Sequence, residues 1–247
     1  MKRPIIIAHR GASEYAPENT MASFRKAIEM NSEGIELDIH MTKDKAIVVC
    51  HDEKIDRTTN GKGFIKDLTL KEIKELDAGS WFGEEFKGEK IPELKEVLEL
   101  IKDKKIFLDV ELKNGPIIYE GIEKKVIEMI MDYGMEERVI ISSFNHYSLM
   151  EVKKINPKIK TGALYMAGIV EPWIYAKRIN ADALHPFFYN VFVPDFVKNC
   201  TENNVILNPF TVDDERYISA LVNLKVDGII TNCPDKAIKI RNNLGGN

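Results

Sequence analysis

Ile35-Glu36-Leu37-Asp38-Ile39 and Ile106-Phe107-Leu108-Asp109-Val110-Glu111-Leu112 are short apolar runs broken by acids two residues apart. In a strand, residues two apart share a face, so Glu36 and Asp38 point one way while Ile35, Leu37 and Ile39 point the other. Glu111 shares a face with Lys113 in the same manner, opposite Val110 and Leu112. Six further runs rich in Ile and Val accompany these two: Ile5 to Ala8, Val139 to Ile141, Thr161 to Tyr165, Ala181 to Leu184, Val205 to Leu207 and Val226 to Ile230. Near-continuous apolar runs are what a parallel sheet covered by helices requires.

Helical patterns fill the intervals. Leu94, Val97, Leu98 and Ile101 repeat at helical spacing behind Pro92 and Glu93; Ile122, Val126, Met129 and Ile130 do so ahead of Gly134. Pro172, Pro194 and Pro234 sit where first-turn prolines are tolerated. Eight strand–helix units in 247 residues predict one α/β domain over 1–247, a closed (β/α)8 barrel of the TIM type. No G-x-G-x-x-G follows the first strand, which weakens an open dinucleotide-binding sheet.

The rhythm fails once, from about residue 40 to 91. A strand at Ala46 to Cys50 follows the turn Lys43-Asp44-Lys45, too short for anything but an antiparallel return. A Thr/Asn/Gly loop, a short helix with the capping pair Thr69 and Glu72, and the aromatics Trp81, Phe82 and Phe86 complete an insertion after the second strand. Those aromatics are read as its small core.

The net charge of −4 argues against a nucleic-acid backbone binder, and no apolar run reaches the length of a membrane span. Cys50, Cys200 and Cys233 are few and scattered, as in a reducing compartment. The opening Met1-Lys2-Arg3-Pro4 leads into too short an apolar stretch for a secretory signal, so the default location is cytoplasmic. A barrel of this size is compatible with monomers and homo-oligomers alike.

Barrels carry their chemistry at the C-terminal ends of the strands. There lie His9-Arg10-Gly11, Glu36-x-Asp38, His51-Asp52 and Glu111-x-Lys113. A rim salt bridge would account for any one of the acids. Three converging carboxylates repel one another unless a cation intervenes, and a hard divalent ion, Mg²⁺ or Ca²⁺, answers this with oxygen ligands from Glu36, Asp38 and Glu111. Arg10 and Lys113 add an anion pocket suited to a phosphate ester, and His9 and His51 a proton-transfer pair. His40 is read as packing, His146 as a surface residue, and His185, before Pro186, as a candidate pocket residue.

These residues, with Pro17-Glu18-Asn19-Thr20, Arg57-Thr58-Thr59, Ser143-Phe144, His185-Pro186, Asp227-Gly228 and Thr231-Asn232-x-Pro234, carry a resemblance to the glycerophosphodiester phosphodiesterase family along essentially the whole chain. The resemblance implies a metal-dependent hydrolase of lipid and glycerol metabolism that releases sn-glycerol 3-phosphate and an alcohol from a small glycerophosphodiester. It implies Glu36, Asp38 and Glu111 on the cation, His9 and His51 as acid and base, and Arg10 and Lys113 on the phosphate. One departure stands out: the family's Trp-Thr-Val at the end of the seventh strand is here Phe210-Thr211-Val212. Phe210 keeps an apolar wall for the glycerol carbons but offers no indole N–H. Two rival functions remain. One is a lysophospholipase D-like or phosphoinositide phosphodiesterase, for which no amphipathic or basic stretch is visible; the other is a non-catalytic cation-binding barrel, which would have no use for both histidines, Arg10 and Lys113.

Overall fold

A computed structural model describes residues 3–245; Met1 and Lys2 of the N-terminal stretch read above lie outside them. Nine strands form: β1 (Ile5–His9), β2 (Gly34–Met41), β3 (Ile47–Val49), β4 (Phe107–Leu112), β5 (Val139–Ser143), β6 (Lys160–Tyr165), β7 (Ala183–Pro186), β8 (Ile206–Leu207) and β9 (Gly228–Thr231). Eight of them run parallel in the order β8-β7-β6-β5-β4-β2-β1-β9, while β3 pairs antiparallel with β2 outside this path. The seam between β8 and β9 is bridged by Asp227 N–H to Leu207 O (3.0 Å) and Ile230 N–H to Pro209 O (3.1 Å). The result is a nearly closed (β/α)8 barrel, as the strand count predicts.

The alternation explains the layering. Ile35, Leu37, Ile39, Leu108, Val110 and Leu112 face outward into the main apolar core, beneath a ring of helices. That ring includes α1 (Met21–Glu29), then, after the short α2 (Leu70–Glu75) of the insertion, α3 (Leu94–Ile101) and α4 (Ile122–Asp132). It continues through α5 (His146–Ile155), α6 (Pro172–Arg178), α7 (Phe196–Glu202), α8 (Glu215–Leu224) and α9 (Pro234–Leu244). Leu94, Val97, Leu98 and Ile101 are all buried along α3, so its apolar stripe is the face that meets the sheet. Pro172 and Pro234 occupy the first turns of α6 and α9. Pro194 does not; Asp195 is the N-cap of α7, and the proline precedes that cap.

The barrel interior is polar where an ordinary barrel packs branched apolar side chains. Ser142 Oγ donates to Asp109 Oδ1 (2.7 Å), Asp109 lies 3.2 Å from His185 Nδ1, and Asn208 Nδ2 lies 3.1 Å from His185 Nε2. Gly162 makes room for this imidazole: a Cβ there would sit 2.6 Å from His185 Nε2.

Between β2 and α3, β3 returns along β2 with Ile39 opposite Val49 and Met41 opposite Ile47. Val48, Cys50, Ile55, Ile65, Ile73, Ala78 and Ile91 form a second apolar cluster beneath the intervening loops. Trp81, Phe82 and Phe86 are not part of it. They stack edge-to-face on one another (5.6 and 5.5 Å between centroids), with Trp81 41 % and Phe82 37 % exposed. Branched aliphatic residues fill the small volume that the aromatics were expected to fill. Among the described residues no helix is long and apolar enough to cross a membrane.

Candidate active site

Register brings the acids together. β2 and β4 are neighbours with Asp38 directly beside Glu111, and β1 places His9 beside Glu36. Ligand atoms of Glu36, Asp38 and Glu111 lie within 4.8 Å of one another, and all three residues are buried. Asp109 is on the same face as Glu111, two residues earlier, so four carboxylates share this face with two cations, Arg10 and Lys113.

The two cations are held among the acids. Lys113 Nζ lies 2.8 Å from Glu111 Oε1 and 3.5 Å from Asp38 Oδ1; Arg10 Nε lies 3.4 Å from Asp38 Oδ2. Arg10 adopts a left-handed backbone (φ +56°), a strained conformation for this residue. Several hydrogen bonds enforce it. Its N–H donates to Glu36 Oε2 (2.9 Å), and its carbonyl accepts from Ser23 Oγ (2.9 Å) and Asn19 N–H (3.0 Å). Gly11 is required next: at φ +80° a Cβ would fall 2.4 Å from Ser23 Oγ and 2.7 Å from the Ser23 carbonyl carbon. Asn19 also donates to Asp38 Oδ2 (2.8 Å), so the loop before α1 clamps the β2 acids from above.

Proton affinities register this crowding. Burial, then the charges of Asp38 and Glu111, raise the Glu36 carboxyl well above its ordinary range. Burial and Asp38 push Glu111 up to about 8 against the opposing pull of Lys113. For Asp38 burial acts upward, but Arg10 and Lys113 together outweigh it and hold the group ionised. Buried acids that must keep protons in the absence of another positive charge form a site that fits a divalent cation, and an all-oxygen donor set suits a hard one. Asp38 Oδ1 also has no hydrogen-bond partner.

The histidines have different partners. His9 Nδ1 lies 2.7 Å from Asn232 Oδ1; Asn232 Nδ2 donates to Asp213 Oδ2 (2.6 Å), and Ser13 Oγ donates to the same Asn232 Oδ1 (2.8 Å). The amide orientation is thereby fixed, so His9 Nδ1 carries the proton and Nε2, 3.9 Å from Glu36, is the basic nitrogen. Burial and the neighbouring Arg10 lower its pKa to about 4. His51 Nδ1 instead faces a carboxylate, Asp52 Oδ1, at 2.7 Å. Arg57 grips Asp52 and makes a bidentate pair with Glu18, which also accepts from Arg10. A chain of alternating charges thus runs from His51 to the acid cluster.

Phe210 lines a small cavity of about 20 Å³ with His9, Glu36, Glu111, Ser142 and Leu164, room for a single ion or water. A cavity of about 720 Å³ lies elsewhere, between α7 and the end of α8. His185 is not a pocket residue: its side chain is 0 % exposed, a layer below the mouth, occupied by Asp109 and Asn208. His40 packs as expected, its ring between the Tyr119 hydroxyl (2.9 Å) and the His51 carbonyl (3.1 Å). His146 is not a free surface residue; Tyr175 OH (2.6 Å) and Leu164 O (2.8 Å) take both its nitrogens.

Asp213, Asp109, Ser142 and Asn208 escaped the sequence reading as site residues. Asp109 was signalled by its place two residues before Glu111. The others lie on separate strands and loops and meet only in the closed barrel.

Residues 9–236 match the Glycerophosphoryl diester phosphodiesterase family. A glycerophosphodiester phosphodiesterase of Caldanaerobacter subterraneus subsp. tengcongensis is 53 % identical over 238 residues, covering 96 % of this chain and 98 % of the relative. Its namesake from Bacillus altitudinis is 44 % identical, covering 96 % and 97 %. Among solved structures, an Oleispira antarctica phosphodiesterase in complex with the product sn-glycerol-3-phosphate superposes with a TM-score of 0.85 at 31 % identity, covering 96 % of each chain.

Proposed function

The chain belongs to the glycerophosphoryl diester phosphodiesterase family and is a phosphoric diester hydrolase; from this premise we propose how its residues act and on what. The substrate is a glycerophosphodiester, the products sn-glycerol 3-phosphate and an alcohol. The observation that carries this reading is the meeting of three buried carboxylates, Arg10 and Lys113 with two differently partnered histidines in one barrel mouth.

Glu36, Asp38 and Glu111 hold one divalent cation, Mg²⁺ or Ca²⁺. When bound, it supplies positive charge to a phosphoryl oxygen and takes up the excess negative charge of the cluster. Arg10 and Lys113 bind the remaining phosphoryl oxygens and oppose the charge that builds in a five-coordinate transition state. Phe210 covers the glycerol carbons and excludes water beside them.

Partner chemistry divides the proton work. His9, neutral and with Nε2 unprotonated, takes the proton of the attacking oxygen. The imidazolium this creates is turned toward Glu36. His51, whose Nδ1–H is held by the Asp52 carboxylate, gives a proton to the departing alkoxide. The insertion carries His51 and Arg57 to the edge of the pocket, so it caps the site on that side.

The test is release of glycerol 3-phosphate from glycerophosphocholine by chelated protein, by protein with cation restored, and by His9→Ala. Cation-dependent release that the substitution abolishes is expected. A folded, cation-replete protein inert toward every glycerophosphodiester offered would refute the reading.

A further inference from the structure

β2 carries one more polar residue on the face of Glu36 and Asp38. His40 stands two residues beyond Asp38, fully buried, and takes no part in the cation, phosphate or proton chemistry. Both of its ring nitrogens are nevertheless engaged. Nε2 lies 3.1 Å from the carbonyl oxygen of His51, and Nδ1 lies 2.9 Å from the Tyr119 hydroxyl. A carbonyl only accepts, so Nε2 carries the hydrogen; in the neutral ring Nδ1 then accepts from Tyr119.

His51 has need of such a tether. The ladder between β2 and β3 closes with Cys50 N–H on Asp38 O (3.0 Å), and His51 comes directly after it, where the chain bends. Its imidazole is held at Nδ1 by Asp52, which Arg57 grips, yet the side chain is 32 % exposed. The bond from His40 fixes the main chain that carries this imidazole. Tyr119 is fixed in turn: its N–H donates to Asn114 Oδ1 (2.6 Å), and Asn114 Nδ2 donates to Glu123 Oε1 and Ser148 Oγ (2.9 Å each). Asn114 follows Lys113 directly, so one chain of hydrogen bonds joins the end of β4 to His51. A leucine would fill the space of His40. What the imidazole adds is a buried donor aimed at a single carbonyl.

We propose that His40, backed by Tyr119, is the positioning residue of His51 and sets where its imidazole meets the departing oxygen. This rests on the reading of His51 as the acid. A general acid works only within hydrogen-bond reach of the oxygen it protonates, and a misplacement of about 1 Å costs on the order of 10²-fold. The loss is confined to leaving groups that need a proton. The alkoxide of choline needs one; p-nitrophenolate, a stable anion near neutral pH, departs without it.

The experiment measures kcat and KM of the cation-loaded full chain for glycerophosphocholine and for the p-nitrophenyl ester of glycerol 3-phosphate. His51→Ala should lose far more on glycerophosphocholine than on the nitrophenyl ester. His40→Leu should repeat that split: kcat for glycerophosphocholine falls about 10–100-fold at nearly constant KM, while the nitrophenyl ester changes by no more than about threefold. His40→Gln, whose amide nitrogen reaches the place of Nε2, should restore most of the loss, and a glutamine variant no better than leucine overturns the donor role. Tyr119→Phe should cost about fivefold on glycerophosphocholine alone, the worth of one neutral hydrogen bond. Losses equal on the two esters, or absent, in His40→Leu overturn the proposal and leave His40 a packing residue. The same results in Tyr119→Phe decide the matter where His40→Leu does not fold. A His51→Ala protein that slows both esters alike refutes the acid role first, and the proposal with it, whatever His40→Leu does.

Discussion

Cation affinity should rise by at least about one decade per pH unit up to roughly pH 8. The magnitude follows from Glu111. Burial and Asp38 place its pKa at about 8, so near pH 7 the carboxyl is roughly nine-tenths protonated, and a protonated acid does not ligate. Each unit below 8 therefore costs a factor of about ten through Glu111, and Glu36, also raised, adds to the dependence. Asp38 is held ionised by Arg10 and Lys113, and His9, lowered to about 4, is already neutral. Calorimetric titration of Mg²⁺ or Ca²⁺ into chelated protein, in two buffers of different ionisation enthalpy, gives affinity and protons released together. Glu111→Gln should bind more weakly at high pH and lose about one proton of the dependence.

Stability carries the same signature. A carboxyl whose folded pKa lies above its ordinary value stabilises the fold fully below that ordinary value and loses the contribution as pH rises through about 8. Relative to Glu111→Gln, the cation-free wild type should therefore lose Tm between about pH 5 and 8, and added cation should restore most at the upper end. An affinity flat from about pH 6 to 8, or a Glu111→Gln protein with the wild-type slope, would refute the reasoning.

Three further outcomes are expected. His9→Ala should lower kcat by about 10²–10⁴-fold with an unchanged circular dichroism spectrum, and a variant as fast as wild type removes His9 from the chemistry. Asp213→Asn, which frees the Asn232 amide to turn, should lower kcat by roughly 10–100-fold with KM nearly constant; equal loss of Tm and activity would mark Asp213 as structural only. Gly162→Ala forces a methyl against the fixed His185 ring and should cost about 1–3 kcal/mol, or roughly 2–10 °C in Tm, read by calorimetry; an unchanged Tm would show that the polar interior is loosely packed.

How far the sequence can be read depends on how many chain segments a feature needs. Glu36-x-Asp38 announces both its strand and its inward face because period-two alternation is a local property, and one neighbouring strand, β4, completes the cation site. His9 and His51 are legible for the same reason: His9 ends β1, and His51 follows the end of β3 by two residues. The roles of those histidines are not, because they are set by partners far along the chain or by a loop's turn. Asn232 must be oriented by Asp213 before it can fix the His9 proton on Nδ1. His185 shows the opposite limit. Its place at the end of β7 is that of a pocket residue, yet Asp109 is an inward acid one strand layer lower, and the imidazole lies fully buried 3.2 Å from that carboxylate rather than facing the mouth. Trp81, Phe82 and Phe86 fail through size, since the insertion's small core is filled by isoleucines and a valine that pack there without a polar atom to satisfy. The apolar rim of the barrel mouth needs the most segments. Phe144, Met166 and Tyr189 come from three separate loops and Tyr217 from the first turn of α8, so this surface exists only after the barrel has closed.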